Sequence, residues 1–238
     1  NLPNNTEEPI PLMFILHGLG ESSASRYGVA SYIKNQGFAT VRPESGTFLS
    51  NTGSSYVKLW NAILDSNRYD DVEFISDIID YMLINYDFID HDKIYVLGFS
   101  NGGYMAYRLA CDLGYRIAAF TSIAGNMFLD DDGFDCIDQS RDIPILHVHG
   151  TEDPINSYYP GGNGVDILDD QYLTIIESID FWSNYHNYDI MQIDTILTNV
   201  SVRKIYSNSS SLSTFKLLVV DIIIFMETTM DLALLRRQ

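Results

Sequence analysis

The chain has 238 residues, 46% of them hydrophobic, which suffices for one sizeable core and sits in the size range of a single α/β domain. A formal net charge of −18 and a pI near 4.3 exclude a nucleic-acid partner, since binding a phosphate backbone needs clustered Lys and Arg. Two cysteines, Cys111 and Cys136, make neither a disulfide framework nor a zinc-ligand spacing, though one bridge between them is feasible.

Residues 1–11 are polar and Pro-rich, with no charged start and apolar run, so no secretory leader is visible. Leu12 to Leu16 is a continuous apolar run closed by His17-Gly18, the pattern of a buried parallel strand ending in a turn. A helix is predicted over Arg26 to Asn35 and a strand over Phe38 to Val41, stopped by Pro43. A Gly-, Ser- and Asn-rich excursion holding Trp60 follows. Asp70 and Asp71 can cap a helix whose apolar positions Val72, Ile75, Ile79, Met82, Leu83 and Tyr86 fall at helical spacing.

Further on, strands are predicted over Ile94 to Leu97, Ala118 to Ile123 and Ile145 to His149, with a helix over Asn101 to Cys111 and another from near Asp169 to His186. This alternation implies βαβ units, right-handed crossovers and a mostly parallel sheet with helices on both faces, in one domain over 1–238. The apolar run Leu217 to Met226 is short and broken by Asp221, so no membrane span is expected.

Gly98-Phe99-Ser100-Asn101-Gly102 fits G-x-S-x-G between a strand and a helix, the setting in which a strained turn exposes a serine hydroxyl at a helix N-terminus. Ser100 is therefore the candidate nucleophile. The backbone N–H groups of Leu19, in the turn after the first strand, and Asn101 are the candidate oxyanion donors. Asp153, in His149-Gly150-Thr151-Glu152-Asp153-Pro154, follows a later strand and is the candidate acid in the chain order Ser, Asp, His. His147 and His149 alternate along that strand and can share one face, but no third metal ligand accompanies them. The candidate base in chain order is His186, the one histidine after Asp153, although its position on an apolar-periodic helix argues against it. Trp60 and Met127 are candidate substrate-pocket residues.

These stretches, from Pro11 to Tyr188, resemble the polyhydroxybutyrate depolymerase and feruloyl esterase family of α/β-hydrolases. The resemblance rests on residues 11–18, Asp70-Asp71-Val72, residues 94–105, Tyr107-Arg108-Leu109-Ala110-Cys111, and residues 147–154. It implies a secreted serine esterase without cofactor or metal. Such an enzyme cleaves polyester, feruloyl or acetyl esters through an acyl-enzyme, acting as a monomer on a substrate that can be polymeric. It also favours a Cys111–Cys136 bridge. The family pattern ends in a Gly-Gly-His loop, whereas no glycine follows Gly164 here, and the hairpin expected before Pro11 is missing. A reading-frame slip near Leu217, or disorder over 212–238, accounts for the altered end. The alternatives are an inactive hydrolase scaffold without its histidine, and a peptidase or thioesterase on the same fold.

Overall fold

The computed structural model describes residues 2–3, 9–49, 55–128, 143–160 and 173–187, and the backbone of three further strands between 189 and 222. In chain order, β1 (Ile10–Leu16) leads through a 3-10 turn (Ser23–Arg26) into α1 (Tyr27–Asn35) and β2 (Ala39–Val41). A small hairpin of β3 (Thr47–Leu49) and β4 (Tyr56–Lys58) precedes α2 (Asp71–Asn85), β5 (Ile89–Phe99), α3 (Asn101–Asp112) and β6 (Ala119–Ile123). β7 (Ile145–Gly150), α4 (Ile175–Tyr185), β8 (Asp189–Thr198), β9 (Ser201–Ser207) and β10 (Leu217–Ile222) complete the order.

The main sheet runs β2-β1-β5-β6-β7-β10-β9-β8, parallel from β2 to β10 and antiparallel at the β9–β8 edge. This is the α/β-hydrolase fold. The chain moves one way from β1 to β2 and the other way from β5 onward. Right-handed crossovers therefore put α1 on one face and α2 and α3 on the other. Tyr107 of α3 meets Trp182 of α4 edge to face at 5.8 Å, and both rings meet Phe120 of β6, which sets α4 beside α3. The strand order reverses between β1 and β5, and the crevice at their carboxyl ends is where ligands bind in sheets of this kind.

Why these residues form these elements is clearest in α2. Asp70 caps it, its carboxylate accepting from Glu73 N at 2.9 Å, and Ile75, Ile79 and Met82 are buried at helical spacing. Asp71, read in the sequence as a second capping residue, is instead buried, and its Oδ2 accepts from Asn61 N at 2.7 Å. That bond anchors the Trp60 segment to the helix.

β5 begins five residues before the predicted strand, because Ile89 pairs with Ile10 across a register shift ahead of the polar run Asp90 to Lys93. α4 starts at Ile175 behind its N-cap Thr174, which forms a capping box with Glu177; Asp169 lies outside the described residues. No strand precedes β1 among the described residues. Within 212–238, residues 217–222 form β10 and the remainder lies outside the described residues. Among the described residues, no helix is long and apolar enough to cross a membrane.

Candidate active site

Ser100 ends β5 and caps α3 with φ 52° and ψ −119°, a left-handed conformation that a non-glycine residue holds only when its surroundings enforce it. Two glycines of the motif allow this. A Cβ on Gly98 would lie 1.9 Å from Gly102 O, and one on Gly102 would lie 2.6 Å from the carbonyl oxygens of Leu16 and His17. The first turn of α3 thus rests directly on the ends of β1 and β5. Ser100 N donates to Ile123 O at 2.8 Å, which fastens the elbow to β6. Ser100 Oγ has no hydrogen-bond partner among the described residues.

The turn after β1 is braced against the elbow from both sides. Gly18 N donates to Glu21 Oε2 at 2.9 Å; Glu21 pairs with Arg26, whose guanidinium lies 4.0 Å from the centre of the Phe99 ring. On the other side, Trp60 Nε1 donates to His17 O at 2.9 Å and Trp60 N to Asn101 Oδ1 at 2.7 Å. The N–H groups of Leu19 and Asn101 donate to no protein group among the described residues, as two open oxyanion donors require.

His17 itself is engaged. Its Nε2 accepts from Ser45 N at 3.2 Å and its Nδ1 donates to Gly18 O at 2.8 Å, so the ring is neutral. Burial pushes its pKa down, against the pull of the Gly18 carbonyl and of Glu44 and Glu21.

Asp153 follows β7 in a tight turn, its N donating to Gly150 O at 3.2 Å. Oδ1 accepts from Ile155 N at 2.8 Å and Asn156 N at 2.9 Å, while Oδ2 lies 3.2 Å from His149 Nε2. Burial pushes this carboxyl up, but the His149 ring and the two amides outweigh it and hold the group below the ordinary aspartate value. His147 and His149 do share one face, their rings stacked at 5.5 Å and 15°. No group of three metal-ligating side chains occurs among the described residues. His147 shares a hydrogen bond with Tyr107 OH at 2.9 Å, and burial, then the neighbouring His149 ring, drive its pKa well down.

Two sequence expectations need correction. Trp60 is 1% exposed and Met127 0%, so neither offers surface to a ligand. Trp60 is a strut behind the turn after β1, and Met127 packs under α4, its N donating to Ser178 Oγ at 3.0 Å. His186 closes α4 and is buried against Trp182 (4.8 Å) and Tyr185 (5.0 Å), in the helical layer and away from the strand ends. The imidazole that meets Asp153 is that of His149. Cys111 is disulfide-bonded; the sequence holds one other cysteine, Cys136, outside the described residues.

Glu21, Arg26, His149 and Asn156 escaped the sequence reading as site residues. For His149 the signal was its spacing of four from Asp153 across a Gly-containing turn; the others have no local signature.

The fold compares well with solved esterases. An acetyl xylan esterase from Aspergillus awamori superposes with a TM-score of 0.66 at 16% identity, over 93% of this chain and 85% of that one. A Bacillus cereus carboxylesterase gives 0.54 at 16%, over 79% and 77%. In sequence, a bifunctional acetylxylan esterase/xylanase of Neocallimastix patriciarum is 31% identical over 159 residues, 66% of this chain and 21% of that protein. Acyl-protein thioesterase 1 of Kluyveromyces lactis is 27% identical over 165 residues, 60% of this chain and 70% of that protein. The chain thus spans about a fifth of the first relative's length. The phospholipase/carboxylesterase family model matches residues 3–174, and with the elbow and fold described above the chain belongs to that family of hydrolases.

Proposed function

We propose that this chain is a serine esterase that removes short acyl groups from a polysaccharide such as acetylated xylan. The observation that carries this reading is the strained Ser100, set at the N-terminus of α3 beside two undonated amides. A base takes the Ser100 hydroxyl proton as Oγ attacks the ester carbonyl, the Leu19 and Asn101 amides hold the oxyanion, and the C–O bond breaks as that proton passes to the departing alkoxide. Water then cleaves the acyl-enzyme. Asp153 orients the base. β10, the strand beside β7, ends at Ile222, and residues 223–238 contain no histidine.

The acyl group and carrier follow from likeness to acetylxylan esterases; polyhydroxybutyrate and feruloyl esters are the nearest alternatives from motif resemblance. The disulfide at Cys111 fits an oxidising, extracellular setting, and a monomer acting on a polymer is the simplest form. The test is release of p-nitrophenol from p-nitrophenyl acetate, and of acetate from acetylated xylan, by the chain and by Ser100→Ala. Turnover confined to the wild type supports the esterase. Faster cleavage of an acyl thioester than of the matched oxygen ester redirects the reading to a thioesterase. A second reading, an inactive scaffold, is favoured by the lack of an imidazole at Ser100 Oγ among the described residues, and predicts no turnover by either protein.

A further inference from the structure

We propose that Asn156 is the positioning residue that fixes the acid turn to the nucleophile helix; this rests on Asp153 being the acid of the proposed esterase. Asn156 is 3% exposed, and all four of its polar groups are engaged with different parts of the site. Its backbone N donates to Asp153 Oδ1 at 2.9 Å, and its backbone O accepts from His149 Nε2 at 3.2 Å. Its side-chain Nδ2 donates to Ala124 O at 2.7 Å, at the end of β6, and its Oδ1 accepts from Tyr104 OH.

Each link leads back to Ser100 or to Asp153. Tyr104 stands one turn into α3, its N donating to Ser100 O at 3.1 Å, and its ring is held edge to face by Phe128 at 4.7 Å. Ala124 follows Ile123, whose carbonyl receives Ser100 N, and Ala124 N in turn donates to Val148 O of β7. His149 Nε2 faces two acceptors, Asp153 Oδ2 and Asn156 O, so it carries the proton and bridges them. The carboxylate is therefore located by backbone and imidazole donors that Asn156 gathers, and the side chain of Asn156 ties that assembly to the end of β6 and to the nucleophile helix α3.

The test compares Asn156→Ala and Tyr104→Phe in the full chain, using p-nitrophenyl acetate, each also in an Asp153→Asn background. Asn156→Ala should lower kcat by about 10- to 100-fold with KM within about two-fold, as expected of a misplacement near 1 Å. Tyr104→Phe, which keeps the packing on Phe128, should give a smaller loss of the same kind. With Asp153→Asn already present, neither change should cost more than about two-fold, because there is no acid left to place. Full multiplication of the two losses overturns the proposal. A readout independent of turnover is the NMR titration of the Asp153 carboxyl carbon. Its midpoint should rise in Asn156→Ala as the gathered donors disperse, and an unmoved midpoint overturns the proposal even if the wild type proves inactive.

Discussion

Replacing Gly98 by alanine should disrupt the elbow by a route that involves no chemistry. Its added Cβ would lie 1.9 Å from Gly102 O, 2.3 Å from Gly102 C and 2.6 Å from Gly103 N, all backbone atoms, so no side chain can turn aside. The approach to Gly102 O falls about 1.1 Å short of the 3.0 Å that real Cβ atoms keep, and α3 or β5 must move by about that much. Overpacking of this kind costs about 1–3 kcal/mol or more. Moving β5 also strains its ladder with β1 and β6, where Gly98 pairs with Leu16 and Ser122. Each ladder hydrogen bond contributes about 1 kcal/mol. The expected loss is at least about 3 kcal/mol, which at a urea slope of about 2 kcal/mol/M lowers the midpoint by about 1.5 M. Gly28→Ala is the control: it lies in α1, nothing approaches its Cβ within 4 Å, and it should stabilise by about 0.5 kcal/mol. Urea unfolding followed by tryptophan fluorescence measures both. A Gly98→Ala midpoint within about 0.3 M of wild type would refute the reasoning, since it would mean that α3 slides freely on β5.

Ser100→Gly should raise stability by about 1 kcal/mol while abolishing any esterase activity, since strain at a left-handed residue costs about 1–3 kcal/mol and glycine returns part of that as chain entropy. Ser100→Ala keeps the strain and should show no such gain in urea unfolding. Stability should also fall with pH below 6.5, the ordinary histidine value. Burial lowers the folded-state pKa of His147 and His17, so the unfolded chain takes up protons that the folded one refuses. Each histidine adds a slope of up to about 1.4 kcal/mol per pH unit. Unfolding free energies that stay flat between pH 7 and pH 5 would contradict this. Asp70→Ala removes the cap of α2 and should cost about 1 kcal/mol, read as a lowered Tm in calorimetry.

What the sequence disclosed is what local chemistry encodes. The elbow was legible because Gly98, Ser100 and Gly102 lie within five residues and their roles are steric. The turn after β1 and the turn that carries Asp153 were legible because each directly follows an apolar strand. Contacts between distant segments were not. Trp60 sits in a Gly-, Ser- and Asn-rich stretch that reads as surface, yet its hydrogen bonds run to Asn101 and His17, and Asp71 and Arg108 secure Asn61 and Ala62 beside it. The β3–β4 hairpin was hidden by the same composition. Asn156 looks like an ordinary turn asparagine, and only the fold brings Tyr104, 52 positions earlier, to its side chain.

The histidines show how Asp153, the proposed acid, is held. Of the five in the chain, His17 has both nitrogens engaged, His91 is exposed beside Asp92, His147 pairs with Tyr107, and His186 packs on Trp182. His149 alone among them bonds the carboxylate of Asp153, and it does so from the strand side, fully buried. A carboxylate oxygen carries two lone pairs, so Oδ2 can accept from His149 and still receive a second N–H. Since Oδ1 is already filled by two amides, that second donor must arrive at Oδ2. His149 therefore does not compete with a catalytic base. It fixes the oxygen such a base would meet, and so holds the carboxylate of Asp153 where it can steady an imidazolium.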